Sequence, residues 1–186
     1  MNSTIAKISC IILAGGQGTR AGGRDKGLIN FNGKPLIQHV INSIKMQVDD
    51  IVISANRNTE SYQQYSDKVI TDDSLDYRGP LSGIAACLPH CKHELVLIIA
   101  CDMPNLPATL AERLKKKLRD KAITIATVDN RHQLALLVHK NLQPSAQRRL
   151  DDNQLKLIQW VESTSYDTVS FDDIAQAFVN LNSLSR

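Results

Sequence analysis

Residues 13–28 read LAGGQGTRAGGRDKGL and follow directly on an apolar run over residues 8–14. Five of the nine glycines lie between positions 15 and 23, with Arg20, Arg24 and Lys26 among or beside them. Glycine lets the backbone turn freely and brings its N–H groups close to a ligand. Successive N–H groups form an anion-binding nest, and adjacent cations neutralise further charge. The stretch therefore predicts a buried first strand that ends in a phosphate-binding loop.

Two well-known phosphate loops do not account for this stretch. Residues 16–21 fit the dinucleotide pattern G-x-G-x-x-G/A, which requires a helix at the loop and an acid about 20 residues later. The glycines and proline within 22–35 leave no room for that helix, and residues 27–48 contain no Asp or Glu. The P-loop pattern fails because Arg24 and Asp25 follow the second glycine. A long cationic loop over a nucleotide remains, and its alternative is a plain glycine-rich turn between strands.

The overall composition indicates one globular domain over residues 1–186. A net charge of +3 and an aromatic content of 4% give no basis for nucleic-acid binding. The longest apolar run, residues 95–101, is far shorter than a membrane span. We therefore expect a cytoplasmic protein that contacts neither nucleic acid nor membrane.

The cysteines raise the question of a zinc site. Four cysteines lie mostly in apolar surroundings, which suits reduced, buried thiols. Cys87 and Cys91, with His90 and His93 nearby, invite a zinc interpretation, but their spacing is not C-x-x-C. Cys87 also falls on the apolar face of a predicted helix, so we predict that this pair binds no zinc.

Apolar runs and helical patterns alternate along the chain. Predicted strands cover 8–14, 50–55, 68–71, 94–101, 122–128, 134–139 and 168–171. Predicted helices cover 35–47, 59–65, 81–88, 107–119, two pieces of 141–163, and 172–178. This alternation predicts an α/β fold, a three-layer α/β/α sandwich with a mainly parallel sheet and an antiparallel excursion after residue 122.

Polar residues follow four of the predicted strands. They are the Gly15 loop, residues 54–57, residues 72–73 and Asp102. Ligands of open α/β sheets bind beyond the carboxyl ends of the strands. A carboxylate there, ahead of Pro104, suits Mg²⁺, although Asp102 alone could also be a helix cap or turn residue. Since no serine or cysteine nucleophile with a partner histidine is evident, the pattern favours phosphoryl chemistry that depends on positioning and charge.

The motif over residues 13–28, with NGKPL at 32–36, resembles the N-terminal signature of the nucleotidyltransferases. The form GGRDKG at 22–27 is similar to that of the molybdenum cofactor guanylyltransferases. The resemblance implies a nucleotide-diphospho-sugar-transferase-like fold and transfer of GMP from GTP to molybdopterin with release of pyrophosphate. It also implies Mg²⁺ as the cofactor and makes molybdoenzymes or their chaperones candidate partners.

The resemblance also carries residue roles. It implies a nucleotide-binding half over residues 1–105 and a pterin-side half over 106–186. The residues expected at the nucleotide are Leu13, Ala14, Gly15, Gly16, Lys26, Ser54, Asn56, Asp72 and Asp102. Those expected at the pterin are Gly79, Pro80, Asn180 and Asn182. Arg20, Lys26 and Asp102 are the expected catalytic residues, with Asp102 as the metal ligand.

The chain departs from the family pattern at two positions. Ser54 stands where the family often has an asparagine that contacts guanine, so Asn56 or backbone groups would share that task. Gln133 stands where the family usually has proline, directly after the position of His132.

Two alternative functions remain open. One is a cytidylyl or sugar-nucleotide transferase, and the other is a nucleotide-binding regulator without catalysis, which would leave Asp102 without a purpose. We expect GTP to be preferred, because the Asp72 carboxylate can accept from the N1–H and amino groups of guanine.

Overall fold

A computed structural model of the chain describes residues 7–16, 25–72 and 78–180. The strands in these residues are β1 (Ile8–Leu13), β2 (Asn30–Phe31), β3 (Lys34–Pro35), β4 (Asp50–Ser54), β5 (Val69–Ile70), β6 (Leu95–Ala100), β7 (Ile123–Val128), β8 (Arg131–His139) and β9 (Tyr166–Ser170). The α-helices are α1 (Leu36–Ile44), α2 (Thr59–Gln63), α3 (Pro80–Cys87), α4 (Leu110–Leu118), α5 (Gln143–Asp151) and α6 (Leu157–Glu162). Four 3₁₀ turns lie at Lys26–Leu28, Leu88–His90, Lys140–Leu142 and Asp172–Phe178.

A seven-stranded sheet with the order β5-β4-β1-β6-β8-β7-β9 forms the centre of the molecule. The strands β5, β4, β1 and β6 are mutually parallel, and β9 pairs parallel with β7. The strand β8 runs antiparallel to both of its neighbours, β6 and β7. The predictions of a mainly parallel sheet and of an antiparallel excursion after residue 122 are therefore confirmed.

Helices cover both faces of this sheet. Alternate residues of a strand point to opposite faces, so Ile12 of β1 joins a core with α1 and α4, while Ile11 joins a core with α3, α5 and α6. Burying one such side chain stabilises the fold by roughly 1.5–3 kcal/mol. The result is the expected three-layer α/β/α sandwich.

Two turns with left-handed backbone explain short hairpins. Asp129 and Asn130 have φ values of 49° and 59°, as a type I′ turn between β7 and β8 requires. Asn32 and Gly33, with φ values of 49° and 84°, make the equivalent turn between β2 and β3. The first hairpin matches the sequence prediction. The second was not predicted, although an Asn-Gly pair is a strong hairpin signal.

The helix α4 begins three residues later than its predicted start. The Leu110 N–H donates to the carbonyl of Pro107 at 3.1 Å, so a tight turn occupies residues 107–109 before the helix starts. No helix among the described residues combines the length and apolarity needed to cross a membrane.

Candidate active site

A cavity of about 540 Å³ lies at the carboxyl ends of β1, β4, β5 and β6. Twelve residues proposed from sequence line it: Leu13, Ala14, Gly15, Gly16, Lys26, Ser54, Asn56, Asp72, Gly79, Pro80, Asp102 and Asn180. Arg20 and Asn182 lie outside the described residues, as does Asp73. Arg78, Gln133 and Leu134 also line the cavity. Residues far apart in sequence thus meet at the sheet edge where parallel folds bind ligands.

The start of the glycine-rich loop is held by backbone hydrogen bonds. The Ala14 N–H donates to the Ser54 carbonyl at 2.8 Å, and the Cys101 N–H donates to the Leu13 carbonyl at 3.1 Å. The Arg57 guanidinium donates to the Gly16 carbonyl at 3.2 Å. The backbone that enters the cavity is therefore fixed on both sides by β4 and β6.

Lys26 and Asp102 form a long ion pair in the wall of the cavity. The Lys26 Nζ atom lies 3.4 Å from Asp102 Oδ2, and their side chains are 26% and 13% exposed. This separation is long for a charge-assisted hydrogen bond, which is typically about 2.7–2.9 Å. Both groups can therefore turn towards a ligand without losing a tight internal contact.

Asp102 is also suited to a divalent cation. Mg²⁺ is usually bound by one or two carboxylates together with substrate phosphates and water. No group of three or more His, Cys, Asp or Glu side chains among the described residues could hold a metal ion. Asp102 beside this cavity fits a magnesium site in which one carboxylate comes from the protein and the substrate phosphates and water complete the coordination.

Asp72 is held in a defined orientation by two neighbours. The Asn56 amide donates to Asp72 Oδ1 at 2.7 Å and accepts from the Asp72 N–H at 3.0 Å. The Ser82 hydroxyl donates to Asp72 Oδ2 at 2.5 Å. Asp72 lines the cavity, and these bonds fix the orientation of its carboxylate there. The amide of Asn56 orients Asp72, a relation that the sequence spacing did not reveal.

The Ser54 hydroxyl is directed towards α3. Ser54 is 3% exposed, and a Cβ atom on Gly83 would collide with its Oγ. Burial raises the pKa of Cys87, at the end of the same helix, to about 12. Ser54 therefore packs the floor of the cavity against α3, and its expected role beside the nucleoside stays a prediction.

Two further residues at the site were missed by sequence reasoning. The Arg78 guanidinium lines the cavity and donates to the Leu150 carbonyl at the end of α5. Asp25 is buried directly before Lys26 and accepts a hydrogen bond from Tyr62. Arg78 precedes the predicted Gly-Pro turn, so its cationic side chain was a visible signal. Asp25 gave no comparable signal, because its partner lies 37 residues away in the chain.

All four cysteines are buried free thiols. Burial raises the pKa of Cys91 to about 12 as well, so the thiolate that zinc requires is disfavoured at neutral pH. The expected absence of zinc stays a prediction.

The chain is similar to known proteins over nearly its whole length. Residues 10–166 match the family model described as the MobA-like NTP transferase domain. A molybdenum cofactor guanylyltransferase of Shewanella putrefaciens is 38% identical over 182 residues, which are 96% of this chain and 93% of that protein. One of Photobacterium profundum is 39% identical over 94% of this chain and 90% of that protein.

Solved structures share the fold. The molybdopterin-guanine dinucleotide biosynthesis protein A of Archaeoglobus fulgidus superimposes with a TM-score of 0.74 at 21% identity, over 94% of this chain and 92% of that chain. At 21% identity this likeness establishes the fold alone. The family relationship is established by the sequence identity to the two guanylyltransferases.

Proposed function

The chain belongs to the MobA-like NTP transferase family, and from that premise we propose that it transfers GMP from GTP to molybdopterin. The products are the guanine dinucleotide form of the cofactor and pyrophosphate. The observation that carries this proposal is the cavity in whose wall Lys26 and Asp102 form a long ion pair, together with the Gly15–Gly16 backbone. Such a site offers charge and positioning without a covalent nucleophile, as phosphoryl transfer requires.

The proposed reaction uses few protein groups. A phosphate oxygen of molybdopterin attacks the α-phosphorus of GTP, a new P–O bond forms, and the bond from the α-phosphorus to the bridging oxygen breaks. Lys26 neutralises charge on the triphosphate, and the backbone at Gly15 and Gly16 donates N–H groups to it. Arg20 is proposed as a further cation for the same phosphates. Pyrophosphate carries the displaced electron pair away.

Asp102 is the residue that we propose to hold Mg²⁺. When bound, this ion supplies positive charge that polarises the phosphoryl oxygens. Asp102 lies two residues after the end of β6, a buried central strand, and its side chain lines the cavity. Lys26 beside it can stabilise the negative charge that develops on the leaving group.

The two halves of the chain are proposed to divide the substrates. Residues 1–105 supply the nucleotide side, where Asp72 accepts hydrogen bonds from guanine and Ser54 and Asn56 support it. Gln133, Leu134 and Asn180 extend the cavity from the second half. Asn180 and Asn182, together with Gly79 and Pro80 contributed by the first half, are assigned to the pterin, and Arg78 is proposed to meet the anionic acceptor.

The test is turnover with purified substrates. The protein is incubated with magnesium, molybdopterin and α-labelled GTP, and the labelled dinucleotide and the pyrophosphate are quantified. Competition with unlabelled GTP, CTP, ATP and UTP measures base choice, and only GTP should compete strongly. Preference for CTP would assign a cytidylyl transferase, and labelling of a sugar phosphate alone would assign a sugar-nucleotide enzyme. Tight GTP binding without transfer would support the regulatory alternative.

A further inference from the structure

Asp25 is buried below the turn that carries Lys26, and the reaction above gives it no task. Its side chain accepts three hydrogen bonds, from the Tyr62 hydroxyl at 2.5 Å, the Asn58 amide at 3.1 Å and the Gly27 N–H at 3.2 Å. A buried carboxylate is costly unless it is satisfied in this way. The chain therefore maintains a specific network at this position.

The network fixes the backbone on both sides of Lys26. Asp25 is the N-terminal cap of the 3₁₀ turn Lys26–Leu28, and its carbonyl accepts from the Leu28 N–H at 3.2 Å. The Lys26 carbonyl accepts from the Ile29 N–H at 3.2 Å. The Asp25 carboxylate holds the Gly27 N–H, and the two backbone bonds hold the carbonyls of Asp25 and Lys26. The lysine side chain therefore starts from a fixed backbone, and its Nζ lies near Asp102.

The residues that donate to the Asp25 carboxylate are also held in defined positions. Tyr62 of α2 is fully buried, and burial raises the pKa of its hydroxyl, which therefore stays protonated and donates. A Cβ atom on Gly27 would collide with that hydroxyl, so the turn and α2 are in close contact. Asn58 has a φ of 50°, a conformation that asparagine tolerates better than most residues.

We propose that Asp25, Tyr62 and Asn58 form a positioning network that holds Lys26 in the geometry needed to bind the triphosphate. This inference rests on the proposed function. A lysine whose base is already ordered loses less conformational entropy when it binds phosphate, and a small displacement of the base moves Nζ away from its target. Asp25 itself does not touch the substrate.

A double-mutant cycle separates this role from a structural one. Asp25→Ala, Lys26→Ala and the double variant are compared for GTP affinity by titration and for kcat and KM in GMP transfer. We expect Asp25→Ala to lower kcat/KM for GTP about tenfold in an otherwise native Lys26 background. On the Lys26→Ala background the same change should have little further effect, because its target is gone.

Three milder variants identify the atoms involved. In Asp25→Asn the amide oxygen can still accept from Tyr62 and Gly27, and a rotated Asn58 amide can accept from the new NH₂ group, so activity should stay within about threefold. Tyr62→Phe removes one donor and keeps the ring. Asn58→Gly removes the other and suits a positive φ. Both should lower GTP affinity with the same dependence on Lys26, and they provide the test if Asp25→Ala does not fold.

Gln47 supplies the matched control. It is buried to the same extent, 9% exposed, and its amide donates to the Ser43 carbonyl of α1 and to the Pro107 carbonyl, and accepts from the Ala111 N–H of α4. Gln47→Ala should lower the melting temperature, with additive effects when it is combined with Lys26→Ala.

Two outcomes would overturn the network proposal. One is a cycle in which Asp25→Ala and Lys26→Ala are additive, and the other is a folded Asp25→Ala variant with wild-type GTP affinity. Failure of the proposed function gives a different result, in which the wild-type protein binds GTP without transferring GMP. The cycle is then decided by the titration alone.

Discussion

The amino and carboxyl ends of the parallel strands each carry an aspartate–lysine pair, and the two pairs differ in geometry. At the amino ends, Asp50 accepts from Lys68 at 2.7 Å and from the Ser9 hydroxyl at 2.5 Å. At the carboxyl ends, Lys26 and Asp102 are 3.4 Å apart and line a cavity. The same residue types thus form a closed network at one end and an open pair at the other.

Hydrogen bonding explains why one aspartate–lysine pair is structural and the other is available to a ligand. Burial alone would raise the pKa of Asp50, but hydrogen bonds from Lys68, Ser9 and the Lys92 N–H together lower it. The Lys92 N–H donates at 2.8 Å, so both oxygens of Asp50 are occupied by the protein itself. A satisfied pair of this kind stabilises the sheet, whereas a loose pair remains available to a substrate. Four of the five expectations below test this distinction and the fifth concerns the buried cysteines; they run from the largest effect to the smallest.

The largest effect is expected for Asp102→Asn. The amide has nearly the same size but lacks the charge that a hard divalent cation requires, so turnover should fall roughly a hundredfold or more. Turnover against magnesium concentration measures this loss, and the melting temperature should stay close to that of the wild type. Wild-type turnover at ordinary magnesium levels would make Asp102 a turn residue.

The equivalent change at the other end, Asp50→Asn, should act on stability. Lys68 loses a charged acceptor and the amide group cannot accept from all of the present donors, which should cost about 2 kcal/mol of unfolding free energy. Denaturant titration measures this loss, while kcat and KM should be unchanged. A large loss of turnover in a folded Asp50→Asn protein would contradict the assignment of roles to the two ends.

Substitution of the two lysines should likewise affect ligand binding at one end of the sheet and stability at the other. Lys26→Ala should weaken GTP binding and lower turnover roughly tenfold, with little change in melting temperature. Lys68→Ala is the matched variant and should lower the melting temperature without weakening GTP binding. Nucleotide titration and thermal melting of both proteins decide the matter, and unchanged turnover in Lys26→Ala would remove its phosphate role.

The closed network should also set a dependence on pH. Because the pKa of Asp50 is lower in the folded protein, its contribution is fully present above the ordinary aspartate value of about 3.9 and disappears as the pH falls through the lower folded value. The difference in unfolding free energy between wild type and Asp50→Asn should therefore be constant near neutrality and shrink below about pH 4. A difference that persists into strong acid would point to packing as its cause.

The smallest effect is expected for metal at the cysteines. Cys87 and Cys91 should bind no zinc, and chelator treatment should leave the melting temperature unchanged. Elemental analysis of protein purified without chelator measures this directly. Stoichiometric zinc that is lost from a Cys91→Ser variant would overturn the expectation.

The sequence was most informative where one local signal sufficed. The strands β1, β4 and β6 lie within one or two residues of their predicted bounds, because continuous apolar runs mark buried parallel strands. The ends of β6 and of the short strand β5 supplied the cavity residues Asp102 and Asp72, since the carboxyl ends of parallel strands meet at one edge of the sheet.

Relations between distant segments could not be derived in the same way. The link from Asp25 to Tyr62 and the orientation of Asp72 by Asn56 join positions 37 and 16 residues apart. Neither pair has a spacing that any local periodicity selects, and each depends on how α2 and β5 pack in the finished fold. The direction of the Ser54 hydroxyl towards Gly83 is likewise a property of packing.

The position of β8 between β6 and β7 has a consequence for the chain during its synthesis. The apolar strand β6 gains its second neighbour only when residues 131–139 have left the ribosome, although β7 emerges first. Until then a nascent chain presents an unpaired, hydrophobic strand edge, the kind of surface that promotes aggregation and chaperone binding. We expect ribosome-stalled chains that expose residues 1–128 to be digested by protease in β6, and chains that expose residues 1–145 to resist. Equal protease sensitivity of the two would show that β6 is protected before β8 arrives.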